Sequence, residues 1–518
     1  MLAYLPYELL LEIVTYFDYN NFCHMLQVNK YLRNIILDMI KNYSKSFAFN
    51  LKRNNIPIKN LSIIKNVRYL NLSHTNISDN HLELLSDVYE LNLKKCNITG
   101  SGFKYLKNIK KINISWCRKL INNNMQYLCN IQWINLSRSN INDEGIKYLI
   151  LGEMNDNLIP LNNIKYINLS NTNITNNSIK ILSNIPTIKI NYCPHVNASC
   201  LEYLTTINNL SIRTTLDRDI NLCENLKYLK NIKTLKLDTS YLTSQHLKEL
   251  KNLKILDAQN SNIEQKDIEF LDKLEYLHMR FNDCIDYFDS TKFNNLRVLK
   301  LPYCVAINND CLKNLDQLKK INLKRCLEIT DSGLKYLKNV PDINISGCLN
   351  VTDEGLSYLE NVKKLNIKHC YGITNEGLKY LKNMKKIKIG YHNEHDIILT
   401  RYEMCTTGEI EYWNIVEKSN QNITDLGLSY LQNISFLELK KCNNITDAGL
   451  VRLNNVSNLE LKYCENIKGS FLSYLKNTKI KIFGTNIKNE YLRNIPEIKI
   501  MEKYVFDTIL STKFISIN

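Results

Sequence analysis

Apolar residues in this chain fall into one phrase that recurs from residue 67 to residue 500. Val67-Arg-Tyr-Leu70-Asn-Leu72 returns as Val88-Tyr-Glu-Leu91-Asn-Leu93 and Ile109-Lys-Lys-Ile112-Asn-Ile114, and far downstream as Leu318-Lys-Lys-Ile321-Asn-Leu323. Taking the middle apolar residue as marker gives nineteen copies, at 70, 91, 112, 134, 167, 188, 210, 235, 256, 277, 299, 321, 343, 365, 387, 437, 459, 480 and 498, and fourteen of the eighteen gaps are 21 or 22 residues. Alternation of apolar and polar positions around each marker predicts a short strand with one buried face. Five residues later stands a small side chain: Thr75, Cys96, Cys117, Ser139, Thr172, Cys193, and then Cys304, Cys326, Cys348, Cys370, Cys442 and Cys464. Ile-Thr or Ile-Ser follows, as in Ile329-Thr330-Asp331-Ser332-Gly333-Leu334. The Thr-Asp pair predicts a helix start, with side-chain oxygens accepting the first free N–H groups. Leu334, Leu337 and Val340 give that helix one apolar face. No unit of this length can bury its apolar face alone, so the fixed period predicts a stacked solenoid.

The period breaks in a few places. Phe47-Ala-Phe49-Asn-Leu51 sits 21 residues before the first marker phrase and matches it column by column, which predicts a degenerate capping repeat within a 42–66 linker. Insertions fall near 150–162 and at 391–421, and residues 501–518 read as a C-terminal cap after a 67–500 array. Repeat arrays carry such insertions on loops, often at a binding face.

Residues 1–41 carry a different pattern. Leu5-Pro6-Tyr7-Glu8-Leu9 opens a helix, with Pro6 at its first position and Glu8 near the positive end of its dipole. Leu9, Ile13 and Phe17 then share a face, a second short helix carries Phe22, Met25 and Leu26, and Asn29 caps a third. About forty residues make a very small core, so this unit is expected to seek a partner.

Composition narrows the function class. The chain holds 67 Lys plus Arg against 51 Asp plus Glu, a formal charge of +16. Such a charge can favour acidic partners. It also fits drift toward AT-rich codons, which enrich Asn, Lys, Ile and Tyr together, as in a protist or a large DNA virus. The N-terminus lacks a basic segment followed by an apolar one, and no window holds the ~18 apolar residues of a membrane span, so an intracellular, cytoplasmic or nuclear protein is expected. Nine of the sixteen cysteines occupy the one turn column, where Thr and Ser replace them elsewhere. The position wants a small buried group rather than a bridge, and the thiols are expected to be reduced. Enzymatic motifs are missing: no phosphate-binding Gly loop, no Gly-x-Ser-x-Gly and no Cys-x-x-Cys occur. His392-Asn-Glu-His395 has two His at a spacing seen in zinc sites, yet two ligands in a polar loop do not make a metal site. No cofactor or metal and no catalytic residue is expected, and nucleic acid is not an expected partner because no compact basic module occurs.

The strand, the Cys column, the Ile-Thr turn and the helix together resemble the leucine-rich repeat family in its cysteine-containing variety. Leu5-Pro6-x-Glu8-Leu9, Ile13, Phe17-Asp18, Leu26, Val28-Asn29-Lys30 and Leu32-Arg33 resemble an F-box. The chain departs from that motif at Asn29, where Ser or Cys is usual, at Phe22, where Leu is usual, and at Leu32, where Trp is favoured. The resemblance implies an α/β solenoid: a leucine-rich repeat horseshoe with a parallel concave sheet and convex helices, preceded by a small three-helix F-box. It further implies a non-catalytic receptor subunit of an SCF-type, cullin–RING ubiquitin ligase. Leu5, Pro6, Glu8, Leu9, Ile13, Phe17, Leu26, Val28 and Leu32 would bind a Skp-type adaptor. The alternative is an interaction scaffold or decoy that assembles no ligase.

Strand alternation places the residues one before, one after and three after each marker on the open face. Early repeats offer Asn and Ser there with Trp133, Tyr69 and Tyr166; later ones offer Lys324, Lys368, Lys388, Lys440 and Lys462. One position further lie Trp116, Tyr192 and Tyr303. A cationic strip edged by aromatics suits an acidic or phosphorylated target segment. Lysine spread over every surface by composition is the plainer account of the same strip.

Overall fold

This computed structural model describes residues 68–152, 163–213, 220–238, 242–261, 263–281, 288–390, 422–453, 455–475 and 478–492, together with the backbone strand Ala48–Asn50. The chain forms two compact units, Met1–Ala258 and Gln259–Asn518. In the first, parallel strands follow one another in sequence order from Ala48–Asn50 and Tyr69–Asn71 to Thr234–Asp238, each pairing with the next. In the second the same rule runs from Tyr276–His278 to Lys479–Phe483. Register holds marker against marker, as in Leu70 with Leu91 and Ile321 with Ile343. This is the α/β solenoid expected from the period. All eighteen marker residues among the described residues are buried, none more than 3% exposed, and the residue two later lines the same core.

The crossovers are tighter than the apolar pattern predicts. Asp143–Leu151, at nine residues, is the longest α-helix described; Asp79–Leu85, Ser101–Tyr105 and Asn122–Leu128 are 3-10 helices. Asp331–Leu334 is one α-turn that continues as the 3-10 turn Lys335–Leu337. A 22-residue unit with a strand at one side leaves room for little more than one turn at the other. Leu334, Leu337 and Val340 are still buried, because the apolar spacing suits either helix.

Two side-chain columns tie each unit to the next. Among the described residues, seven turn-column cysteines donate to a carbonyl of the preceding repeat, among them Cys96 Sγ to Leu72 O at 3.1 Å, Cys326 to Leu301 at 3.0 Å, Cys348 to Leu323 at 3.1 Å and Cys370 to Ile345 at 3.1 Å, while Cys442 and Cys464 reach Lys440 and Lys462 of their own repeats. Thr75, Ser139 and Thr172 donate instead to a carbonyl of their own repeat. The thiol is long enough to cross the gap and the hydroxyl is not. Burial pushes the Cys117 and Cys370 thiols up to about 12, so they are inert donors.

The second column sits at the helix starts. Thr352 and Thr374 cap their own helices, as the sequence predicts. The aspartate beside each one reaches into the next repeat. Asp331 accepts the N–H and hydroxyl of Thr352, and Asp353 accepts those of Thr374, at 2.6–2.8 Å. Asp79 does the same for Thr99, Gly100 and Gly102. Burial alone would raise the Asp79 carboxyl, but these donors outweigh it and hold it below the usual carboxylate range. A glycine in the following helix makes space for the carboxylate: a Cβ on Gly355 would run into Asp331, and one on Gly377 into Asp353.

Candidate target-binding surface

The open side of the sheet is shaped by asparagine one residue after the marker. Asn71, Asn113, Asn168, Asn322, Asn344 and Asn366 each accept, through Oδ1, the N–H two residues on. That bond takes the N–H out of the strand ladder and folds the chain over. Every strand with Asn at this position is three residues long. Lys236, Asp257, Lys388, Glu438, Glu460 and Lys481 stand at this position in strands of five, whereas Lys189, Ser211, His278 and Lys300 stand there in strands of three. Simple alternation therefore fails past the asparagine. The residue three after the marker turns partly under, and Ser73, Ser115, Ser346 and Lys368 are buried rather than presented.

One residue further, thirteen non-glycine side chains stand at positive φ, among them Lys95, Trp116, Arg138, Tyr192, Tyr303 and Tyr463. Bulky residues rarely adopt this conformation. Here it is held from repeat to repeat, because each N–H meets the carbonyl three after the next marker: Lys95 N to Ser115 O, Trp116 N to Ser137 O, Arg138 N to Ser170 O. The result is a regular row of side chains along the sheet edge.

In the first unit the face is aromatic. Trp133 and Tyr166 stack with centroids 4.7 Å apart and planes within 4°. A shallow groove of about 290 Å³ opens between Tyr69 and Trp133, floored by Leu70, Leu91 and Ile112. Trp116, half-buried on the edge row, has Lys95, Arg138 and Arg118 at 4.8, 4.4 and 5.6 Å from its ring centre. Tyr192 is exposed.

The second unit corrects the expected cationic strip. Lys368 is buried, its Nζ 2.7 Å from Glu438 Oε1. Lys462 reaches the same oxygen at 2.7 Å and Glu460 at 3.0 Å, and Lys388 lies 2.8 Å from the other Glu438 oxygen. Lys481 pairs with Glu460 at 2.8 Å. Burial would raise the Glu438 carboxyl, but hydrogen bonds from Lys368, Lys388 and Lys462 outweigh it and hold it far below the usual range. Burial pushes Lys368 the other way, below its ordinary value, against the pull of Glu438. Lys324 lies over the Tyr303 ring at 4.8 Å, and Tyr303 itself is buried; Lys440 is half-buried at its strand end. The strip is thus a mixed-charge network, not a row of unpaired cations. Sequence reasoning passed over Glu438 and Glu460, although a signal was present: in register, Lys388, Glu438, Glu460 and Lys481 stand side by side on four adjacent strands.

The remaining candidates lie outside the described residues. These are Leu5, Pro6, Glu8, Leu9, Ile13, Phe17, Leu26, Val28 and Leu32, the 391–421 insertion with His392 and His395, and the 501–518 cap. Among the described residues no cluster of His, Cys, Asp and Glu could hold a metal ion, and no helix is long and apolar enough to cross a membrane.

Comparison with known proteins agrees with this construction. A model of the F-box domain matches residues 2–43, and a model of the leucine-rich repeat matches residues 64–86. No curated protein matches the chain. Among solved structures, the crystal structure of a TLR13–ssRNA13 complex is similar at 14% identity and a TM-score of 0.50, covering 87% of this chain and 83% of that one. A leucine-rich repeat protein of Leptospira interrogans is similar at 19% identity and a TM-score of 0.38, covering 82% of this chain and 98% of that one. At these identities the first likeness concerns the fold alone. The chain carries an F-box domain at its N-terminal end, followed by leucine-rich repeats.

Proposed function

We propose that this chain is the substrate-recognition subunit of an SCF-type ubiquitin ligase. Its F-box would hold a Skp-type adaptor, and through it a cullin–RING assembly, while the open strand face holds a target protein. The observation that carries the reading is the order of parts: an F-box match at residues 2–43, then parallel strands that present a regular face of half-buried aromatic and polar side chains. F-box and repeat units are interaction modules, and such a subunit speeds ubiquitin transfer by proximity rather than by chemistry of its own. Anchors of the Trp and Tyr type dominate most protein interfaces, which favours Trp116, Trp133, Tyr166 and Tyr192 over the paired lysines as target contacts.

Adaptor capture tests the reading. Leu5→Ala with Pro6→Ala removes two apolar anchors of the motif, and co-purification of a Skp-type adaptor and cullin should fall at least ~10-fold, with the repeats still folded by circular dichroism. Wild-type chain that captures neither adaptor nor cullin would leave the scaffold or decoy reading in its place.

A further inference from the structure

We propose that the edge row around Trp116 is a docking site for an extended acidic peptide, one that sets carboxylates on Lys95, Arg118 and Arg138 and an apolar side chain in the neighbouring groove. The proposal rests on the reading of the open face as the target surface and names the target's chemistry.

Three observations carry it. First, Lys95, Arg118 and Arg138 are exposed, and among the described residues none of the three has an acidic partner. This sets them apart from Lys368, Lys388 and Lys462, which all pair with Glu438. Second, the row is rigid. Lys95, Trp116 and Arg138 hold positive φ through backbone bonds of 2.9 Å to the next repeat, so the main chain here needs no ordering on binding. The planar guanidinium groups of Arg118 and Arg138, set around the Trp116 ring, suit the two oxygens of a carboxylate. Third, the groove between Tyr69 and Trp133 lies beside the row, floored by Leu70, Leu91 and Ile112 and lined also by Asn71, Asn92, Asn113 and the paired Glu90 and Lys111. Asn113 lines the groove, and Trp116 follows it by three residues across the turn, so the two are at most roughly 10 Å apart. An extended ligand covers that separation in about three residues, which predicts acidic residues some three positions from an apolar one.

The same geometry disfavours single-stranded nucleic acid. Sequence-tolerant binding of that kind needs an aromatic face on which a base can stack. Cations from the repeat before and the repeat after already lie over Trp116, at 4.8 and 4.4 Å, and Trp133 is stacked on Tyr166.

Fluorescence anisotropy with the full-length chain tests the proposal. The probes are a short labelled peptide with one Phe flanked by Glu, its Gln-for-Glu counterpart, and labelled oligothymidylate. The acidic peptide should bind at least ~10-fold more tightly than the Gln peptide, and Lys95→Glu with Arg138→Glu should abolish the difference. Lys95→Gln with Arg138→Gln is a milder variant that should give the same loss should the reversal disturb folding. Equal binding of the two peptides, no binding of either, or tighter binding of oligothymidylate would each overturn it. Adaptor capture by the same variants should match wild type. Its loss in wild type with peptide binding intact would sink the ligase reading and leave the acidic-peptide site standing.

Discussion

Within the second unit, two stretches of the same sheet use different chemistry at the same position. From Lys320–Asn322 to Lys364–Asn366, asparagine follows the marker, each strand ends after three residues, and each asparagine oxygen accepts from its own backbone, with Asn344 also donating to Asn322. From Lys386–Gly390 to Lys479–Phe483, a charged residue follows the marker and the strand runs for five. The side chain is then released from the backbone and bonds across strands instead, through Glu438 and Glu460. In these four strands charge after the marker goes with a longer ladder and brings an ion network into a half-buried surface, whereas Lys300 follows its marker in a strand of three. The first stretch is held by many small, repeated bonds, the second by a few large ones.

The largest way to break that comparison is at Glu438. Its removal leaves Lys368 buried and unpaired, and breaking a buried pair from one side costs about 3–5 kcal/mol. Glu438→Ala should lower unfolding stability by that amount in urea titration. Glu90→Ala, which breaks a half-exposed pair with Lys111 in the first unit, should cost at most ~1 kcal/mol. Acid should act in the same direction as the mutation. The carboxyl is held below the ordinary value of 4.5, so its contribution is complete above that pH and is lost as pH falls below it toward the depressed folded value. Wild type should therefore lose stability below about pH 4.5 more steeply than Glu438→Gln, measured by circular dichroism at fixed urea. Parallel pH profiles would show that Glu438 does not supply the network's energy.

A smaller effect sharpens the contrast by leaving it untouched. The helix side uses one rung in both stretches: Asp331 with Gly355 in the first, Asp425 with Gly449 in the second. Gly355→Ala and Gly449→Ala should each cost about 1–3 kcal/mol, since a Cβ meets the carboxylate in both. Pairing either with Ala at its aspartate should recover part of the loss. Unequal costs at the two glycines would mean that the stretches differ on both sides of the sheet.

How much of this was legible beforehand follows from what periodicity encodes. The period located all eighteen described marker residues in the core, because burial of an alternating strand is a local property. The cysteine column was correctly read as small and buried, but its bond to the preceding repeat was not read, since that depends on the distance between units. Lys368, offered as an exposed cation, was misplaced because alternation was carried past Asn366, where the side-chain bond to Lys368 N ends the strand. Glu438 lies seventy residues from Lys368, across the 391–421 insertion, and only the pairing of Lys386–Gly390 with Phe436–Lys440 brings the two together. Trp116 was noticed as an aromatic at the edge, while two of the cations around it, Lys95 and Arg138, come from the repeats on either side.

The smallest expected effect tests the asparagine column directly. Asn344 accepts the Ser346 N–H at 3.1 Å and donates to Asn322 at 2.8 Å, so it serves both its own turn and the neighbouring strand. Asn344→Ala should cost about 1 kcal/mol, the usual net value of one such bond, because the half-buried site lets water replace part of what is lost. Amide exchange reads it locally. The Ser346 N–H should exchange about fivefold faster in the variant, a change of that size in free energy, while amides in Phe436–Lys440 keep their wild-type rates. Faster exchange in both places would mean that the asparagine stretch and the charged stretch open as one cooperative unit. Change confined to Ser346 would instead establish that each asparagine holds its own turn, and that the short strands are set one repeat at a time.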